Sequence, residues 1–244
     1  MDRAIYTAMT GAKSTMLQQA SVANNLANAS TDGFKAEIHR LRAVPVISQA
    51  QPSRAFVVDA SVANDLSSGA LQHTGRSLDV AVKGQGWLAV QDANGNEAYT
   101  RAGRLEVTQN GELVDERGQR VLGDGGPISL PPDNEYEIAA DGTISAVPNT
   151  GNRNTAEVVG RLKLVNPQQV ERGDDGLFRQ SGGAPAEADE NVQVAGGYIE
   201  GSNVNVVDQM VQMISLSRHF EFQTKLLTSA EQNDQAADKV ISAT

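Results

Sequence analysis

The sequence predicts an α+β multidomain protein, with two long terminal helices around an inserted all-β domain. Three observations carry this. The first thirty and last forty residues place apolar side chains at helical spacing. Turn dipeptides punctuate short β-like runs from Ser77 to about Tyr198. The stretch between the first helix and the β region follows neither period.

In the first helix, Ile5, Met9, Ala12, Met16, Gln19, Ala23 and Leu26 alternate by four and three, a seven-residue repeat in which only Gln19 is polar. Between Ala4 and Thr31 the sole charge is Lys13. A solvated helix normally carries charge on its outer face. This one carries Thr, Ser, Gln, Asn and Ala, which protein can cover as readily as water. The stretch "VANNLANASTDGFKA" ends it, since Asn28, Ser30, Asp32 and Gly33 are residues that stop helices and make turns.

From Asn203 to Ile241 there is no Gly or Pro. Val206, Met210, Met213, Phe220 and Leu227 share one stripe, with Ser217 and Thr224 at the intervening positions. Ala230, Ala237 and Ile241 continue it more weakly after a slip in phase. A helix of this length runs about 55 Å at about 1.5 Å per residue. Seams this narrow suit helix pairing better than sheet packing. Residues 1–33 and 203–244 are therefore expected to form one domain, its two helices paired as a coiled coil.

Residues 34–76 have short apolar pairs, two prolines and no sustained period. They are expected to be an extended connecting segment that lies along something else, because so long a stretch without its own structure is unusual in a compact domain. Residues 77–202 read as the β-rich domain. "LDVAV" alternates Leu78, Val80 and Val82, and "WLAVQ" follows Gly84-Gln85-Gly86. Asn94-Gly95, Asn110-Gly111, Arg117-Gly118 and Asp141-Gly142 then separate runs such as "RLEV", "ELV", "RVLG", "EYEI", "TISAV" and "VGRLKLV".

The formal charge of −10 and pI near 4.8 argue against a nucleic-acid or anionic-membrane partner. All of that excess lies in residues 61–200, which marks the β domain as the solvent-facing part. With no cysteine there is no disulfide, thiolate metal site or cysteine nucleophile. No window is long and apolar enough to cross a membrane, so direct membrane insertion is not expected. "MDRAIYTAMTGAKST" lacks the basic and apolar regions of a secretory signal, so any export is expected to use a route without a cleaved signal.

Sites of chemistry are not apparent. His39, His73 and His219 stand alone, without metal-ligand spacing. "DANGN" at 92–96 resembles a calcium loop, but its glycine is one place early and Gly103 stands where an acid should, so a hairpin turn is expected. The lone Gly84-Gln85-Gly86 leads into a strand, which fails the nucleotide-loop context. No cofactor, metal or catalytic residue is expected. Tyr99, Thr100 and Arg101 are expected to fix the β core and one polar contact. A peptidoglycan-acting enzyme built on a carboxylate pair, and a secreted binding protein, are the alternatives from other functional classes.

Four segments, "NNLANASTDGFKA", "TGRSLDVAVKGQGWLAVQDANGNEAYTRAGRLEV", "GELVDERGQRVLG" and "GYIEGSNVNVVDQMVQMISLSRHFEFQTK", resemble the bacterial flagellar rod and hook protein family, in the family's order. The likeness covers both termini and the first half of the β domain. The start "MDRAIYTAMTGA", "LRAVPV", the ending "LLTSAEQNDQAADKVISAT" and the modest length look most like the proximal-rod members, with the distal rod or hook as the alternative. The sequence departs from the family at Leu88 and Leu105, where aromatics are common, and residues 131–191 carry no resemblance.

The resemblance implies a non-enzymatic subunit of the flagellar axial shaft in the basal body, spanning the periplasm. It implies paired terminal helices lining an inner tube, partnership with itself and other rod proteins, and export by the flagellar type III apparatus. The expected assembly residues are Ile5, Met9, Ala12, Met16, Ala23, Asn24, Asn25, Leu26, Asn28, Gly33 and Phe34, with Val206, Met210, Met213, Phe220 and Leu227 on the second helix. The asparagines also have a plainer reading as helix-end residues.

Overall fold

A computed structural model describes residues 2–45, 55–149 and 156–242. The chain separates into two compact units. One comprises residues 1–29, 36–65 and 204–244; the other comprises residues 30–35 and 66–203.

The first unit contains the terminal helices, α1 (Asp2–Ala27) and α2 (Val206–Ser242). The α1 helix ends where the Asn28 amide donates back to the Asn24 carbonyl at 3.1 Å. At the start of α2, Asn205 Oδ1 accepts from the amide of Val207 at 3.0 Å, and Asp208 sits in the first turn, so the exposed amides of the helix start are capped. The same unit contains an antiparallel ribbon of β1 (Glu37–Pro45) and β2 (Ala55–Asn64). A bulge falls at Arg40/Leu41, whose partners are Ser61 and Asp59, leaving Ala60 as the extra residue.

The connecting segment expected over 34–76 is thus divided. Residues 37–45 and 55–64 pair as a ribbon within the unit of the helices, while residues 34–35 and 66–76 belong to the other unit. Backbone pairing satisfies the main-chain polar groups of a stretch whose side chains do not alternate, and such pairing leaves no periodic trace in the sequence.

The second unit holds β3 (Leu71–His73), β4 (Val80–Lys83), β5 (Trp87–Gln91), β6 (Glu97–Thr100), β7 (Leu105–Val107), β8 (Leu113–Asp115), β9 (Arg120–Gly123) and β10 (Gly126–Pro127). It continues with β11 (Asn134–Ile138), β12 (Thr143–Pro148), β13 (Glu157–Arg161), β14 (Leu164–Val165), β15 (Val170–Arg172), β16 (Phe178–Gln180), β17 (Gln193–Gly196) and β18 (Tyr198–Glu200). The main sheet runs β15-β16-β6-β5-β9-β8-β7, with β14 on β5 and β10 on β9. A meander of β11-β12-β13 and the pairs β17-β4 and β18-β3 complete the unit. The four turn dipeptides fall at strand junctions, and their glycines all have positive φ (Gly95 +85°, Gly111 +82°, Gly118 +79°, Gly142 +84°).

β5 is covered on both faces. Leu88 and Val90 point into one cluster with Leu105, Leu113, Val121, Ile144 and Leu162, while Trp87 and Ala89 point into another with Tyr99, Val165 and Phe178. That is why "WLAVQ" is an unbroken apolar run. Trp87 and Phe178 stack at 4.5 Å between ring centroids, and the buried Tyr99 hydroxyl accepts from the Ala186 amide at 2.7 Å.

Candidate assembly surfaces

Polar side chains form hydrogen bonds between the two helices. Thr15 Oγ1 lies 3.2 Å from Gln223 Oε1, and Asn25 Nδ2 donates to Gln209 Oε1 at 3.3 Å. As the α1 number rises the α2 number falls, so the helices run antiparallel. A Cβ on Gly11 would lie 2.9 Å from Gln223 Nε2, so the missing side chain is what lets that amide rest on the helix backbone.

On α1 the buried residues are Ser14, Thr15, Ser21, Val22 and Asn25, and Ala8, Gly11 and Gln18 are half-buried. Positions 8, 11, 15, 18, 22 and 25 form a seven-residue repeat one place out of phase with the apolar repeat of the sequence. On α2 the half-buried side chains among the described residues are Gln209, Met213, Leu216, Gln223, Thr224, Leu227 and Ala230. The apolar side chains lie largely outside: Met9 is 52% exposed, Met16 66%, Val207 68%, Val211 62% and Phe222 61%.

The end of α1 is bonded to the ribbon beside it. Asn25, 2% exposed, holds the Glu37 backbone on both sides: its Nδ2 donates to the Glu37 carbonyl at 2.9 Å, and its Oδ1 accepts from the Glu37 amide at 2.8 Å. In effect its amide completes the pairing of the first ribbon residue. The Ser21 hydroxyl joins Glu37 Oε2 at 3.1 Å and His39 Nε2 at 2.7 Å. Asn24 Nδ2 donates to Glu37 Oε1 at 3.3 Å, and Asn28 Nδ2 returns to Asn24 Oδ1 at 2.8 Å. The asparagine richness of this helix end therefore serves the ribbon as well as the helix terminus.

Residues 30–35 dock into the β unit. Gly33, at φ +68°, donates from its amide to the Glu200 carbonyl at 2.7 Å, and a Cβ there would sit 2.3 Å from Ala102 N. Phe34 is buried, with the Arg172 guanidinium 4.6 Å from its ring centroid. Arg104 binds Asp32 Oδ2 through two nitrogens, at 3.0 and 3.2 Å. Lys35 Nζ reaches Glu200 Oε1 at 2.6 Å and Arg101 Nη1 reaches Glu200 Oε2 at 2.9 Å, all three side chains being essentially inaccessible.

The residues expected to carry assembly fall into three groups. Asn25, Gly33 and Phe34 are buried within the chain. Ile5, Ala12, Leu26, Asn28, Met213 and Leu227 are half-buried. Met9, Met16, Ala23, Asn24, Val206, Met210 and Phe220 are exposed. The side chains of Ala237 and Ile241 lie outside the described residues. The apolar stripe mixes half-buried and exposed positions, and Thr15, Gln18, Val22, Gln209 and Gln223 stand outside it. The signal available in the residues is the spacing of the small residues Ala8, Gly11 and Thr15. Lys35 and Glu200 were also passed over, since nothing local marks two charged residues 165 positions apart as partners.

The "DANGN" turn is a hairpin between β5 and β6. Asp92 Oδ1 accepts from the amides of Asn94 (2.9 Å) and Asn96 (2.8 Å), and Oδ2 accepts from Arg179 at 2.8 Å. Arg179 thereby holds the Asp92 carboxyl below its usual range. "DERGQ" repeats the turn, with Asp115 Oδ1 accepting from Arg117 and Gln119 amides, but no hydrogen-bond partner reaches Oδ2. Burial pushes the Asp115 carboxyl up.

Three family models match this chain. Residues 5–35 match the flagella basal body rod protein model, residues 81–146 the flagellar hook protein FlgE/F/G D1 domain, and residues 195–240 the C-terminal model of the flagellar basal body rod FlgEFG proteins. The chain is 46% identical to the flagellar basal-body rod protein FlgF of Salmonella typhimurium over 250 residues, covering 99% of each chain. The FlgF of Escherichia coli K12 gives the same identity and coverage. Similarity also extends to FlgG of Bacillus subtilis, at 28% identity over 95% of this chain and 96% of that one.

Proposed function

We propose, from the premise that this chain belongs to the FlgF family of flagellar basal-body rod proteins, that it works as a proximal-rod subunit. It polymerises through its terminal helices and transmits torque by mechanical interlock. It has no catalytic step, and its partners are other copies of itself and neighbouring rod proteins.

One observation carries the assembly reading. The helical unit leaves Met9, Met16, Val207, Val211, Ile214 and Phe222 in solvent. An exposed apolar surface of that extent marks a protein interface. In the assembly these side chains pack against helices of adjacent subunits, and the terminal helices pair as a coiled coil. An isolated subunit buries too little on these helices to offset their ordering entropy. That favours passage through the type III export channel in an extended form, without a cleaved signal.

Ala23 is exposed in the single chain, so a charge there tests the interface without disturbing the fold. Ala23→Asp is expected to fold normally and to be absent from purified basal bodies; normal incorporation would overturn the interface. Electron cryotomography of motors lacking this protein is expected to show a truncated rod without a hook. A longer hookless stub would move the protein to the distal rod, and complete flagella would refute a rod role.

A further inference from the structure

We propose that Glu200 is a buried latch that docks residues 30–35 onto the β unit as a separately opening element, closed only once the returning strand is in place.

Glu200 is inaccessible to solvent, and both of its carboxylate oxygens are occupied. Oε1 accepts from Lys35 Nζ at 2.6 Å and from the Gly69 amide at 2.8 Å; Oε2 accepts from Arg101 Nη1 at 2.9 Å. Three stretches distant in sequence, around residues 35, 69 and 101, therefore converge on one carboxylate of β18. Main-chain bonds reinforce the convergence. The Gly33 amide donates to the Glu200 carbonyl at 2.7 Å, the Gly201 amide to Ala70 O at 2.9 Å, and Lys35 Nζ also donates to Ser67 O at 2.7 Å. The backbones approach closely enough that a Cβ on Gly69 would fall 1.9 Å from Gly201 O.

The charges make the docking conditional. The side chains of Lys35 and Arg101 are 0% and 3% exposed. Besides Glu200, Arg101 contacts the carbonyls of Val82 and Gly84 and the Trp87 ring. These groups carry dipoles and no compensating charge. Burying the guanidinium against them without Glu200 carries a large desolvation penalty. A chain in which residue 200 has not yet reached its place thus keeps the 30–35 segment undocked, even with Phe34 available to bury. The main-sheet core around Leu88, Val90 and Val121 contains none of these charges and does not depend on the latch. The result is a cooperative element that opens below the free energy of the whole unit.

Amide hydrogen exchange on the full-length protein tests this. In Glu200→Gln, the Gly33 and Gly69 amides should exchange about a hundredfold faster, the scale expected when a buried ion pair is broken. The core amides of Ala89 and Ile128, bonded to Lys163 and Val121 carbonyls, should change by less than about threefold. Adding Arg101→Met should return part of the lost protection, because one of the two buried cations that Glu200 compensates is then gone. Equal acceleration of all four amides, no acceleration at Gly33 and Gly69, or further loss in the double variant would each overturn the latch. Should Glu200→Gln not fold, the wild-type chain in rising sub-denaturing urea decides. Gly33 and Gly69 should share one opening isotherm distinct from that of Ala89, and merging of all three at every urea concentration would refute a separate element.

Discussion

The helical unit and the β unit differ in how much of their large apolar surface they bury. In the β unit, Leu88, Val90, Leu105, Leu113 and Val121 are sealed inside, and the large apolar residues left outside are few: Leu66, Leu71, Val158 and Tyr198. In the helical unit, Ser14, Thr15, Ser21 and Asn25 are inside with Val22, and Met9, Met16, Val207, Val211, Ile214 and Phe222 are outside. The β unit is a finished object whose stability comes from its own core. The helical unit carries much of its large apolar surface on the exterior. Charge follows the same division, since the acidic excess belongs to the sequence region of the finished unit, where solvation is the permanent condition.

The largest effect that would sharpen this contrast is a cavity in the finished core. Leu88→Ala should cost the β unit about 2–5 kcal/mol, read as a lower urea midpoint of Trp87 fluorescence. A loss well under that range would mean the sheet is loosely packed and the contrast overstated.

The two aspartate turns supply an intermediate effect of opposite sign. Asp92→Asn removes an ionic bond to Arg179 from a side chain 3% exposed, and should cost about 1–3 kcal/mol at pH 7. Because the folded carboxyl is held below its unfolded value, this contribution is present at pH above the unfolded pKa of about 3.9 and is lost as pH falls through the folded pKa. Asp115 is reversed. Burial raises its folded pKa, so its ionised form opposes folding, and stability is lost as pH rises through that value. Asp115→Asn should therefore be neutral or stabilising at pH 7 by less than about 1 kcal/mol, an advantage that vanishes in acid. Matching pH profiles for the two variants would contradict the assignment.

The smallest effect on stability tests the other half of the comparison. Met16→Ser and Ile214→Ser should each shift the melting free energy of the isolated chain by no more than about 0.5 kcal/mol, as surface substitutions do, while reducing recovery in assembled basal bodies. A large loss of stability in the isolated chain would show that these side chains already pack internally.

Much of the architecture was legible in the residues. Helical periodicity located both terminal helices, because 3.6-residue spacing is a property of the local chain. Glycine after Asn, Asp or Arg located the hairpin turns, since only a residue without a Cβ takes those backbone angles cheaply. "WLAVQ" located the central strand. The resemblance of four ordered segments points to the family, and 46% identity to FlgF proteins over 99% of the chain bears that out.

Other features depended on groups far apart in sequence. Close approach to α2 places Gly11, Thr15 and Asn25 on the inward face of α1, while the apolar stripe of the sequence is divided between half-buried and exposed positions. Residues 37–45 and 55–64 became a ribbon because two aperiodic stretches could satisfy each other's backbones. Strands such as β16 and β18 are too short to show a period. The Lys35–Glu200–Arg101 cluster has no local signal at all. Sequence by itself fixes what each short stretch prefers, because those preferences are steric and local. The tertiary structure decides which of those stretches share a buried space, because burial and charge compensation are energies between residues that the linear order does not bring together.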